Sequence, residues 1–251
     1  MKLFLLGATG NSGRRILTQA LQRGHEVTVW VRDPAKLSAT LDDTAGKATV
    51  IAGDTQDITA MSQAMRGHDV VINAAGTTTS PTGYTTLVSN VIKAAEEALG
   101  AHGRFWLFGG AAALDVPGTS SPTLDLPLIP KAFQLHKTNL EVVRKTQLDW
   151  SMLCPGPMID SPTGQSTAGL RISAEYWPVD GPALAGLLPG IAKSVAFARR
   201  VPEMTIYYED AASVILDHLA AYGPLSRKRV GVALPRGVRR QKASFTRQPA
   251  T

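Results

Sequence analysis

A chain of 251 residues, 44% hydrophobic and 18% charged, can bury one large α/β core, which excludes a disordered or fibrous architecture over most of its length. Its single cysteine, Cys154, excludes an internal disulfide and a thiolate metal cluster, as in chains kept in a reducing compartment. The net charge of +6 is gathered at the end: Arg236, Arg239, Arg240, Lys242 and Arg247 follow Pro235 with no acid among them, so the body is near neutral and 236–251 reads as a basic, disordered, solvated tail.

No stretch approaches the roughly 18–20 apolar residues of a membrane span, and the apolar start that ends at Gly7 is shorter than a secretory core of about 7–15. The expectation is a cytoplasmic chain with no membrane and no nucleic-acid partner. The histidines His25, His68, His102, His136 and His218 lack metal-ligand spacing, so no metal is expected.

Residues 2–6 are a continuous apolar run, the pattern of a strand covered on both faces. A glycine-rich turn follows. Residues 12–23 then read as a helix with Ile16, Leu17, Ala20 and Leu21 on one stripe, closed by Gly24. Residues 27–31 are the next strand, and a short helix begins near Pro34. The rhythm repeats as strand 48–51, helix 57–66, strand 69–73, helix 84–100, strand 104–108, helix 131–146 and strand 150–153. Strands alternating with helices imply parallel pairing through right-handed crossovers, the doubly wound (Rossmann) α/β sheet. After Cys154 the rhythm breaks into the Pro/Gly-rich stretch 155–190, expected to form loops and short elements, with 155–204 supplying much of a substrate side. A strand at 205–208, an amphipathic helix at 209–222 and a strand at 229–233 complete a single domain, 1–235.

The first strand runs into Gly7-Ala8-Thr9-Gly10-Asn11-Ser12-Gly13. Gly7 allows a tight turn, Gly10 lets backbone approach a diphosphate, and Gly13 lets the helix pack on the strand. The free amides at the helix start face the anion. Thr9, Asn11 and Ser12 complete this candidate cradle. A glycine pattern that follows a buried strand and opens a helix has the context a dinucleotide fingerprint requires. At the end of the second strand stands Arg32, suited to clamp a 2′-phosphate, where an acid would accept from an unphosphorylated ribose. Asp33 before Pro34 reads as a helix cap. The pattern therefore points to NADP(H) rather than NAD(H). Asp54 is placed either to accept from an adenine amino group or to cap a loop. Ala74, Ala75 and Gly76 end the fourth strand with small residues that leave room for adenosine.

Together these pieces resemble the atypical short-chain dehydrogenase/reductase superfamily, in its NAD(P)H-binding branch. The resemblance covers roughly 1–235. It is carried by the glycine motif, by Val31-Arg32-Asp33-Pro34-Ala35-Lys36-Leu37, by Gly53-Asp54 with Asp57, by Leu148-Asp149-Trp150-Ser151 leading into Pro155-Gly156-Pro157, and by Tyr208-Glu209-Asp210-Ala211-Ala212. It implies one of several activities: flavin or biliverdin reductases, quinone-reductase-like proteins, or catalytically silent redox sensors, as monomer or homodimer.

The superfamily's Tyr-x-x-x-Lys aligns with Phe133-Gln134-Leu135-His136-Lys137. Lys137 is present to hold the nicotinamide ribose, but phenylalanine cannot pass a proton. The serine usual at the end of the fifth strand is replaced by Gly109-Gly110 after Phe108. Two readings remain. One is an oxidoreductase whose small aromatic, flavin or quinone-like acceptor needs no phenol acid, with His136 as a proton donor near neutral pH. The other is an NADP(H)-binding redox sensor that turns nothing over. Tyr84, Met158, Tyr176 and Trp177 are candidate apolar substrate contacts, and Cys154 is read as buried and inert.

Overall fold

The structure, a computed structural model, describes residues 1–40, 47–76 and 81–242. The strands are β1 (Lys2–Leu6), β2 (Glu26–Val31), β3 (Thr49–Ala52), β4 (Val70–Asn73), β5 (Arg104–Phe108), β6 (Asp149–Cys154), β7 (Met158–Ile159), β8 (Arg171–Ala174), β9 (Ile206–Tyr207) and β10 (Lys228–Ala233). The helices are α1 (Asn11–Gln22), α2 (Pro34–Thr40), α3 (Ile58–Met65), α4 (Pro81–Leu99), α5 (Gln134–Arg144), α6 (Gly190–Met204) and α7 (Tyr208–Leu216). The main sheet runs β3-β2-β1-β4-β5-β6-β10-β8, parallel except at the β10–β8 edge, and β7 pairs with β9 in a separate parallel ribbon. This is the doubly wound sheet expected from the alternation, extended by an antiparallel edge strand.

Strand periodicity builds two cores. Phe4, Leu6, Val71, Phe105 and Met152 point to the layer of α3, α4 and α5, where Met61, Val88 and Val143 meet them. Leu3, Leu5, Val29, Ile72 and Trp106 point the other way, onto Ile16, Leu17 and Ala20 of α1 and Ala211 and Ile215 of α7. Each fully buried Leu or Phe contributes about 1.5–3 kcal/mol over an exposed one. Because β1 has β2 on one side and β4 on the other, the chain reverses direction across the sheet there. A crevice opens at the carboxyl ends of those two strands.

One omission and one expectation need correction. Residues 190–204, placed on the substrate side without an assigned element, form α6, whose pattern is unusual because Lys193 and Ser194 are buried while Ile191 and Val195 are exposed. The tail is also not free from its first residue. The Arg240 amide donates to the Pro202 carbonyl at 2.8 Å, its guanidinium reaches Thr167 Oγ1 at 2.9 Å, and it lies 3.6 Å from the Tyr207 ring centroid. Residues 243–251, including Arg247, lie outside the described residues.

Candidate functional site

At the switch point, Gly7 has φ +80°, and a Cβ there would lie 2.4 Å from the Ala75 amide nitrogen. A Cβ on Gly13 would lie 2.1 Å from the Gly7 carbonyl oxygen. Both glycines are therefore required by close backbone approach: β1, β4 and α1 meet with no room for a methyl group. The Gly10 amide donates to Gly7 O at 2.9 Å, and the first intrahelical bond runs from Arg14 to Gly10. The amides of Asn11, Ser12 and Gly13 precede that bond and are left for another acceptor. The first turn of α1 carries no acid, so nothing there opposes an anion at the positive helix end.

This turn forms one end of a cavity of about 660 Å³. Its walls include Gly7, Thr9, Gly10, Arg32, Asp54, Ala74, Ala75 and Gly76, eight of the residues selected from the sequence. The Asp33 carboxylate accepts from the Ala35 and Lys36 amides at 3.0 and 3.2 Å, so it caps α2 as expected. Asp54 Oδ1 accepts from the Gln56 amide at 2.9 Å, and Asn73 Oδ1 from the Ala75 amide at 3.1 Å, fixing both loops. Arg32 is exposed and forms no ion pair among the described residues. Sequence reasoning missed Trp30, Lys36, Gly83, Thr86, Leu87 and Asn90 on the same walls. The last four follow helical spacing along α4, a signal that marks one face without saying what it faces.

The remaining selections are not in that wall. Asn11 Nδ2 lies 3.4 Å from Tyr208 Oη, and Ser12 Oγ lies 4.0 Å from Met158 Sδ, so the loop after β6 and the start of α7 lie against the first turn of α1. Lys137 is exposed and pairs with Asp125 at 2.8 Å; that carboxylate raises the lysine pKa.

The reading of His136 as a proton donor near neutral pH is corrected. Burial drives its pKa down to about 4, its Nδ1 has no partner, and its ring packs beside Gly110 and stacks on Phe133 at 6.4 Å. The ring is neutral at pH 7. Trp177 is likewise a core residue, 2% exposed, with its indole N–H donating to Thr123 Oγ1 at 2.7 Å. Tyr84 is buried with its hydroxyl donating to the Phe108 carbonyl at 3.2 Å, and burial pushes its pKa up to about 12. Met158 is half-buried and Tyr176 exposed. Cys154 is buried, its thiol pushed up to about 12 by desolvation, as its inert reading requires. Among the described residues no His/Cys/Asp/Glu group could hold a metal, and no helix is long and apolar enough to cross a membrane.

Residues 7–174 match a family model described as NAD(P)H-binding. An uncharacterized protein of Bacillus subtilis (strain 168), YwnB, is 30% identical over 182 residues, 68% of this chain and 78% of that protein. A solved structure of a "putative NADH-flavin reductase" from Streptococcus pneumoniae TIGR4 is 26% identical with a TM-score of 0.67, covering 94% of this chain and 100% of that one. A "putative exported protein" from Burkholderia pseudomallei is 25% identical with a TM-score of 0.69, over 93% and 99% of the two chains.

Proposed function

This chain belongs to the NAD(P)H-binding family, and on that premise we propose that it is an NADP(H)-dependent oxidoreductase that passes hydride to a small aromatic, flavin or quinone-like acceptor without a tyrosine acid. The observation that carries the cofactor half is the single cavity joining the Gly7–Gly10 turn to Arg32. The amides of residues 11–13 take the diphosphate, with Thr9 at its side. Arg32 clamps the 2′-phosphate, with Lys36 on the same wall. Asp54 accepts from the adenine amino group, and Ala74, Ala75 and Gly76 flank the adenosine. Lys137 holds the nicotinamide ribose next to Asp125.

The bound dinucleotide supplies the hydride; the chain's own residues bind and orient it. Phe133 cannot donate a proton, and neutral His136 is no acid at pH 7. The acceptor is therefore one that takes its proton from water, which favours flavins and quinones over simple ketones. The similarity to the streptococcal structure described as a "putative NADH-flavin reductase" supports the same choice of acceptor.

Calorimetric titration with NADPH and NADH tests this. NADPH is expected to bind at least about tenfold more tightly, about 1.4 kcal/mol, and Arg32→Ala to erase most of that gap. Equal affinity in the parent protein would overturn the 2′-phosphate assignment. The missing phenol and the glycines after Phe108 also favour a second reading, an NADP(H)-binding redox sensor. Tight NADPH binding with no oxidation by a panel of flavins and quinones selects it.

A further inference from the structure

Helix α6 buries polar as well as apolar residues: Lys193 and Ser194 lie inward along with Phe197 and Met204. There Lys193 Nζ lies 3.4 Å from Ser121 Oγ and Ser194 Oγ donates to the carbonyls of Pro127 and Gly190. Ile191 and Val195 point outward, 59% and 40% exposed. Those inward bonds fix the helix's rotation, so the apolar outer stripe is a set orientation and not a frayed end.

More aliphatic surface continues from it. Leu184 and Leu187, just before the helix, are 75% and 82% exposed, and Leu128 is 71% exposed. Leu128 lies beside the start of the helix, because the adjacent Pro127 packs on Gly190, where a Cβ would sit 2.8 Å from the proline ring. Leu128 and Leu184 also have φ of 68° and 52°. A residue with a Cβ adopts that left-handed conformation only under compulsion, and such strain gathers at functional surfaces.

Positive charge predominates around this face. The three segments that build it, 126–140, 181–202 and 235–242, contain no Asp or Glu. They are joined through α6: Arg239 donates to the Arg199 carbonyl at 2.8 Å, and the Arg240 amide to that of Pro202. Three of the four acids at the margins are already paired, Asp125 with Lys137, Asp180 with Arg236, and Glu203 with Arg171 and Arg200; the fourth, Glu141, is exposed and forms no ion pair among the described residues. Lys131, Arg199 and Arg239 are exposed and have no ion-pair partner among the described residues.

We propose that this face docks on the surface of an anionic lipid bilayer, with Leu128, Leu184, Leu187 and Ile191 entering the acyl boundary and the cations lying at the headgroup phosphates. A second copy is a poor occupant, because a two-fold contact would set the same cations against themselves. A folded partner would need a surface shaped to match aliphatic tips on separate turns; a fluid bilayer needs none. This is surface attachment, distinct from a membrane-spanning helix, of which there is none among the described residues, and it does not depend on the hydride chemistry.

Flotation of the full chain with phosphatidylglycerol vesicles, and separately with phosphatidylcholine vesicles, tests it. Binding is expected to favour phosphatidylglycerol about tenfold and to fall as salt is raised. The double variant Leu184→Glu/Leu187→Glu, and Arg199→Glu alone, are each expected to lower recovery severalfold while keeping the parent's thermal shift with NADPH, which certifies the fold. Equal recovery on both lipids, or binding indifferent to these substitutions, would overturn the proposal. So would sedimentation showing a dimer that the leucine substitutions dissociate.

Discussion

At residue scale, the glycines of the first turn divide into two kinds. Gly7 and Gly13 are held by backbone contact with β4 and with each other, whereas a Cβ on Gly10 meets only the Gly7 carbonyl oxygen, at 3.3 Å. Gly13→Ala is therefore expected to pry α1 from β1 and destabilise by about 2–3 kcal/mol. Gly10→Ala should fold within about 1 kcal/mol of the parent, and it loses dinucleotide affinity because the methyl group intrudes where the diphosphate approaches. Urea denaturation and NADPH titration of both variants separate the two effects. The spacing of these glycines was readable in the sequence.

The side chains beyond that turn were less so: of Phe133 and His136, one turn apart, the phenylalanine is exposed and the histidine partly buried and desolvated. Nothing in residue type foretells that inversion. It has a consequence for stability. The folded His136 pKa of about 4 lies below the ordinary 6.5, so the unfolded chain binds the proton more readily between those values. This contribution is complete above about pH 6.5 and is lost as pH falls toward 4, by up to roughly 3 kcal/mol. Melting curves from pH 7 to 4.5 should show this slope, and His136→Leu should flatten part of it; an unchanged slope would deny the burial.

At element scale, the motif Tyr208-Glu209-Asp210 at the head of α7 was recognised by resemblance, but its work is visible only in three dimensions. Glu209 pairs with Arg15 of α1 at 3.0 Å and accepts from the Ser161 amide at 3.1 Å, while Asp210 accepts from the Tyr207 amide at 2.8 Å. One carboxylate thus ties the cofactor helix to the loop after β7, and its neighbour fixes the start of α7. Glu209→Ala leaves a mostly buried arginine with the exposed Asp160 as its remaining ion-pair partner and the Tyr208 ring 5.7 Å away, and removes the acceptor for Ser161. The expected loss is about 3 kcal/mol, read by urea denaturation, with a higher KM for the acceptor than for NADPH as the loop loosens. Helix α6 escaped sequence reading because Lys193 and Ser194 share the core-facing side with Phe197 and Met204, which blurs the amphipathic signal. The four-residue β8 escaped because half-exposed side chains give no alternation to detect.

At the scale of the whole molecule, alternating apolar runs and helical stripes were enough for the doubly wound sheet, because parallel strands must be covered on both faces. Pairing of β10 beside β6 and the antiparallel edge at β8 were not readable, since both depend on how the Pro/Gly-rich stretch folds back. The switch point between β1 and β4 puts the glycine turn, Arg32 and the end of β4 around one cavity. The central claim is that the 7–13 turn, through the amides of residues 11–13, cradles the diphosphate of NADP(H) in that crevice. Hydrogen exchange with and without NADPH tests it most directly. The account expects protection at residues 7–13 and 74–76, with α7's far end and β8 unchanged. Unaltered exchange across 7–13 at saturating NADPH and NADH would contradict it.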